Sequence, residues 1–231
     1  MPTITSGEAK LPLAEHYSAN MWTMPTLVKK RTYISPKRQA KAEATRARII
    51  GAATTLFLER GYRRSSTAAI SKAARTSEAS VFAAFGSKAD LLVAVVKDHV
   101  VRHSDFPLRN QPFWQTLAAD ANETRAVEAI AHVVRGAHDR SWRLLAVALA
   151  AAEDDSTVAE AVARAAEGRR IDCEWLVREV IGVTGPDTGR KVDEVWTLIS
   201  IENYRHLVIE RSWSPEQYES WLATMIAATL Q

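Results

Sequence analysis

Between two short stretches of helical patterning, Thr67–Ala74 and Glu78–Ala84, the chain has only Arg75-Thr76-Ser77 in which to reverse direction. A break of that length admits a tight turn and nothing larger. Ser65 or Ser66 stands where an N-cap hydroxyl would satisfy the first free amides of the earlier stretch, and Thr76 or Ser77 does so for the later one. Ahead of them a longer helix is predicted from about Ala42, with Ile49, Ile50, Ala53, Leu56 and Phe57 sharing a face and Gly61 placed to end it. Behind them, Ser87 and Asp90 open a further helix that carries Leu91, Leu92, Val95 and Val96. Two short helices across a tight turn, backed by a longer first helix, follow the helix-turn-helix plan.

The remainder points to the same class. With 9 Gly and 8 Pro in 231 residues, the chain has too few turn formers for a loop-rich β protein. Past Pro112 the patterning predicts helices over about Glu123–His138, Ser141–Ala152, Thr157–Ile181, Gly189–Arg211 and Pro215–Leu230. The last has the best local signal: Ser214 at the N-cap, Pro215 at the first position and Gln217 at the third. The expected fold is all-α. Its parts are a flexible basic arm over residues 1–40, a three-helix helix-turn-helix domain over 41–104 and a larger helical domain over 105–231.

Charge separates these parts. Residues 1–102 hold 17 Lys and Arg against 7 Asp and Glu, whereas residues 103–231 hold 13 against 20. A basic front end suits a polyanion, nucleic acid or an anionic membrane surface. The longest wholly apolar run, Leu144–Ala152, is nine residues, far short of a membrane span. One cysteine, Cys173, precludes an intrachain disulfide, and the first 30 residues lack a secretion-signal pattern, so the expected location is the cytoplasm without membrane attachment.

The segment Thr45–Leu92 contains Arg48-Ile49-Ile50-x-Ala52-Ala53-x-x-Leu56-Phe57-x-x-x-Gly61-Tyr62, then Ser66-x-x-x-Ile70, then Ala74-x-x-Ser77-x-x-Ser80-Val81-Phe82-x-x-Phe85-x-Ser87-Lys88-x-x-Leu91. On these positions it resembles the DNA-binding domain of TetR/AcrR-type transcriptional regulators, the tetracycline-repressor-like family. A second helix that enters the major groove by its N-terminal end would bring Ser77, Glu78, Ala79, Ser80 and Ala83 to base edges. Ser66, Thr67 and Lys88, at helix starts, would grip phosphates. By the resemblance, Phe82 replaces a Tyr that gives its hydroxyl to the DNA backbone, and is expected to act by packing instead. Arg75 replaces a turn glycine and adds charge beside the DNA, while Ala84 replaces an aromatic or imidazole group. This second helix has no Arg, Asn or Gln for bidentate base contacts. The basic arm, through Lys37, Arg38 and Lys41, is therefore expected to reach the minor groove or the phosphates.

For the second half the resemblance implies a small effector held among the helices, a homodimer formed through the last two, and an effector-driven change in the spacing of the DNA-reading helices. Trp114, Trp142, Trp175, Trp196 and Tyr204 are candidates for the apolar wall of an effector site, with His138 and Asn203 as polar anchors, which suggests a small apolar effector. Gly189–Arg211 is apolar on every side and so needs cover on opposite faces. Ile199 on it, with Tyr218, Trp221, Leu222 and Met225 on the last helix, is the expected dimer interface.

Other chemistry is weakly signalled. His99 and His103 lie one turn apart, but solvated histidines explain them more simply than a metal site. Glu128/His132 and Glu202/His206 have the wrong spacing for a di-iron bundle, and Cys173 reads as a packed thiol. No nucleophile elbow or phosphate loop is present, so no catalytic residue, metal or cofactor is expected. The expected function is a homodimeric repressor released from a palindromic operator in double-stranded DNA by a small effector. The alternative is a helical small-molecule or lipid carrier whose basic front end binds a membrane or nucleic acid; a helical enzyme ranks third.

Overall fold

The computed structural model describes residues 36–101 and 108–231. The chain divides into a unit of residues 1–41 and a unit of residues 42–231. Helix α1 (Pro36–Arg60) opens on a proline, whose ring presets the helical φ and whose missing N–H is no loss in a first turn. Lys37, Arg38 and Lys41, expected in or beside a flexible arm, therefore belong to a helix that starts earlier than its apolar face suggests. The arm's residues 1–35 lie outside those described.

In the second unit α1 ends at Gly61, whose φ of +73° needs no Cβ clearance and whose N–H bonds the Phe57 carbonyl at 3.0 Å. Helix α2 (Thr67–Ala73) is capped by Ser66 Oγ, which accepts from the Ala69 amide at 3.1 Å. Ser65, the alternative cap, instead turns inward and donates to the Leu56 and Gly61 carbonyls. Helix α3 (Glu78–Phe85) is capped by Ser77, and α4 (Lys88–Val101) by Ser87, whose Oγ accepts from the Asp90 amide at 3.0 Å.

Between α2 and α3, the Arg75 amide bonds Lys72 O at 3.2 Å and the Thr76 amide bonds Ser71 O at 3.0 Å, the paired bonds of a Schellman turn. Arg75 occupies its left-handed position at φ +52°, where a side chain is strained by about 1 kcal/mol. Arg75→Gly is accordingly expected to raise stability by roughly 0.5 kcal/mol once the extra freedom of glycine in the unfolded chain is subtracted. A urea midpoint that falls instead would show that the arginine side chain holds the turn.

The larger half comprises α5 (Pro112–Asp120), α6 (Glu123–Ala152), α7 (Ser156–Trp175), α8 (Thr188–Leu198), α9 (Ile201–Tyr204) and α10 (Pro215–Leu230). α7 continues through a wider π turn to Val180, and α9 through another to Glu210. Sequence patterning did not indicate α5, and the two helices expected across residues 123–152 are one helix of 30 residues. Conversely, the single helix expected over Gly189–Arg211 is broken at Ile199-Ser200. Arg169 of α7 donates to the Trp196 and Ile199 carbonyls at 3.1 and 3.3 Å, and the Asn203 amide donates to those of Thr197 and Leu198 at 2.8 and 3.2 Å. With side chains satisfying its last carbonyls, α8 can stop without a glycine or proline. α10 has the expected capping box between Ser214 and Gln217.

Two apolar cores result. One gathers α5, α8, α10, the end of α7 and the first half of α6, including Ala126, Val127, Ile130 and Ala131. The other gathers α1–α4 and also takes in Leu144, Ala148 and Ala151 from the end of α6, with Val158 from α7. The helix-turn-helix core thus extends past the expected boundary at residue 104. Arg140 of α6 reinforces the junction by donating to the His99 and Val100 carbonyls at the end of α4, at 3.1 and 3.2 Å.

Candidate nucleic-acid interface and effector region

Helix α3 buries Val81 and presents Ser77, Glu78, Ala79, Phe82 and Ala83 on its exposed side, with Ser80 half-buried. Its polar tip is already engaged within the protein. Ser77 and Ser80 share a hydroxyl–hydroxyl bond of 2.9 Å, and Thr67 Oγ1 donates to Glu78 Oε2 at 2.8 Å. Phe82, expected to act at DNA by packing, is 48 % exposed and points away from the core.

Two arginines of α1 fix the pair of short helices by their C-terminal ends, where a cation suits the helix dipole. Arg46 donates to the Ala84 carbonyl at 3.1 Å, its guanidinium 4.3 Å from the Phe85 ring centre; Arg48 Nε donates to the Ala74 carbonyl at 3.3 Å. Sequence reasoning treated Arg48 only as part of a motif and passed over Arg46, because only the fold shows which carbonyls these side chains reach.

Lys88 is less free than its place at a helix start suggests. Its Nζ donates to the Tyr62 carbonyl at 3.1 Å and lies 4.0 Å from the Tyr62 ring centre, and burial lowers its pKa against the opposing pull of Asp155. The Tyr62 hydroxyl in turn donates to Asp155 at 3.3 Å, with its pKa pushed up to about 12 by burial and then by Asp155. Lys88 thus ties the start of α4 to Tyr62 just past the end of α1, and Tyr62 in turn reaches Asp155 at the α6–α7 corner. Ser66, Arg75, Arg38 and Lys41 are exposed and Thr67 is half-buried; of Lys37 only the helical backbone is described.

The residues proposed for an effector are only partly assembled. His138 of α6, Tyr204 of α9 and Tyr218 of α10 form an aromatic triangle, with ring centres 5.4, 5.1 and 6.2 Å apart. Tyr204 donates to the Asp139 carboxylate, and the Tyr218 hydroxyl lies 3.5 Å from His138 Nδ1. Burial, with the nearby Arg169 charge adding to it, pushes His138 down to about 4, so the imidazole is neutral. Arg169 also stacks on Trp196 at 4.3 Å, and the buried Trp196 indole N–H has no partner among the described residues. Trp114 packs at α5 against the edge of Phe113, Trp142 and Trp175 are half-buried around the same core, and Asn203 is spent on the α8–α9 break. Cys173 is fully buried, its thiol raised to about 12 by burial, and it donates weakly to the Val192 carbonyl.

The expected interface residues divide by burial. Ile199, Tyr218 and Leu222 are buried within the chain itself, in the core between α6, α8 and α10. Trp221 and Met225 keep partial exposure, and Trp221 borders an open depression with Trp213, Glu216, Gln217 and Ser220. α10 is tied to α6 by polar contacts: Arg135 bridges Asp139 and Glu219 at 2.9 and 2.8 Å, and His132 meets Glu219 at 3.0 Å. Of the paired histidines, His99 bonds the Val95 carbonyl, and His103 lies outside the described residues.

Residues 49–95 match the family model described as bacterial regulatory proteins, tetR family. No curated protein matches the chain. Several solved structures share its fold. A Mesorhizobium loti MAFF303099 protein assigned to the TetR family of transcriptional regulators is 15% identical with a TM-score of 0.58, over 82% of this chain and 96% of that one. NalD of Pseudomonas aeruginosa, the secondary repressor of the MexAB-OprM multidrug efflux pump, is 21% identical with a TM-score of 0.57, over 82% and 97%. A transcriptional regulator from Rhodococcus sp. RHA1 is 16% identical with a TM-score of 0.55, over 80% and 96%. Residues 49–95 thus match the tetR family model, and over about four-fifths of its length the chain has the fold of these solved structures.

Proposed function

We infer that the protein is a homodimeric transcriptional repressor that leaves a palindromic operator when a small, largely apolar effector binds. The observation that carries this reading is α3, an exposed helix clamped at its carbonyl end by Arg46, within the segment that matches the family. Trp221 and Met225, with Ile209 on the continuation of α9, retain apolar surface for a second copy. His138, Trp196 and Tyr204 are the proposed effector residues, and the Trp196 N–H, unpartnered among the described residues, suits an effector with one acceptor atom. The route from effector to DNA runs along α6, which lines both cores and holds the end of α4 through Arg140.

Selection of duplexes from a random-sequence pool by the full-length protein tests the first step. Enrichment of a two-fold symmetric motif is expected. Failure to enrich any duplex, with equal binding to anionic lipid vesicles, would replace this reading with the carrier. Arg38 and Lys41 are expected to contribute phosphate contacts, so the double variant Arg38→Gln/Lys41→Gln should reduce the slope of log affinity against log salt by about 2. An unchanged slope would remove these residues from the interface.

A further inference from the structure

On α3, Ala79, Phe82 and Ala83 stand at i, i+3 and i+4 and form one apolar face, all of it exposed. Phe82 is 48 % exposed on this helix of eight residues, with the exposed Ala79 and Ala83 beside it. The polar groups beside it are bonded to one another, Ser77 to Ser80 and Glu78 to Thr67, and the helix has no amide or guanidinium side chain. What α3 offers a major groove is therefore mainly hydrocarbon. The one hydrocarbon group that a base pair presents there is the 5-methyl of thymine.

We propose that Phe82, flanked by Ala79 and Ala83, reads thymine 5-methyl groups and is the specificity-determining side chain of α3. This deepens the DNA-binding reading and rests on it. The ring gains by removing methyl and aromatic surface from water together, and discriminates by the absence of that methyl on cytosine and by the different groove edges of guanine and adenine. Sequence preference then arises without the bidentate contacts that α3 lacks.

The test uses duplexes enriched from the random pool, resynthesised with deoxyuridine in place of thymine one position at a time; pairing is kept and only the methyl is lost. The expected result is one sensitive thymine in each half-site, with affinity about fourfold weaker for each methyl removed and little change elsewhere. Phe82→Ala should bind thymine and uracil duplexes alike, whereas Phe82→Leu should keep part of the difference. Because the ring is exposed, both variants should melt with the wild-type protein. Indifference of the wild-type protein to uracil at every position, or a thymine preference that persists in Phe82→Ala, overturns the proposal while DNA binding itself stands. If no duplex is enriched, the regulator reading fails, and this inference with it.

Discussion

Tyr218→Ala should destabilise the unit of residues 42–231 by about 3–5 kcal/mol, the range for truncating a large aromatic side chain in a packed core. Tyr218 has no solvent exposure and touches the rings of His138, Tyr204 and Trp221, so its removal leaves a cavity bordered by three helices' worth of side chains. A loss of that size is a large part of the total stability of an ordinary domain. Tyr218→Phe is the control: the hydroxyl lies 3.5 Å from His138 Nδ1, too long for a strong bond, and its loss should cost under about 1 kcal/mol. Urea unfolding measures both. If the alanine variant were as stable as the phenylalanine variant, Tyr218 would not be core, and its place in a subunit interface would be restored.

Acid should weaken the protein through His138. The imidazole, held near 4 by burial, ordinarily titrates at about 6.5, so between these values the unfolded chain binds a proton that the folded chain does not. Stability from this group is complete above about pH 6.5 and declines as the pH falls, by roughly 3 kcal/mol at pH 4. Carboxylates such as Glu219 also titrate on the way down. Glu219 has its pKa lowered because the bonds from Arg135 and His132 outweigh the opposing effect of burial. The informative quantity is thus the difference between wild type and His138→Gln. That difference should change by this amount between pH 7 and pH 4, and parallel pH–stability curves would show that His138 is charged or solvated in the folded protein.

The pair of short helices was legible in the sequence because its signals are local. Serine caps, a three-residue turn and Gly61 located α2 and α3 to within a residue, and Ser214-Pro215-Glu216-Gln217 located α10. Where the expectation failed, the deciding contact comes from elsewhere in the chain. The break between α8 and α9 depends on Arg169, some 30 positions away, which no pattern within 189–211 announces. The stripe on α10 was correctly recognised as apolar, but periodicity cannot say whether a stripe faces its own chain or another. Tyr218 and Leu222 proved to face their own. Which way Phe82 faces was likewise not legible: only the fold shows Val81 buried and Phe85 half-buried on the inward side while Phe82 is exposed.

The second core has a practical consequence for anyone dissecting the molecule. Leu144, Ala148, Ala151 and Val158 belong to the core of α1–α4, beneath α4, which packs on α6 and α7. A fragment cut near residue 104 would lose these side chains and leave an oily underside facing solvent, and it would be a poor surrogate for the intact reader in binding assays. On the reading proposed for α3, moving its specificity to another protein means transplanting the outward face of α3 and leaving the recipient's own supports in place.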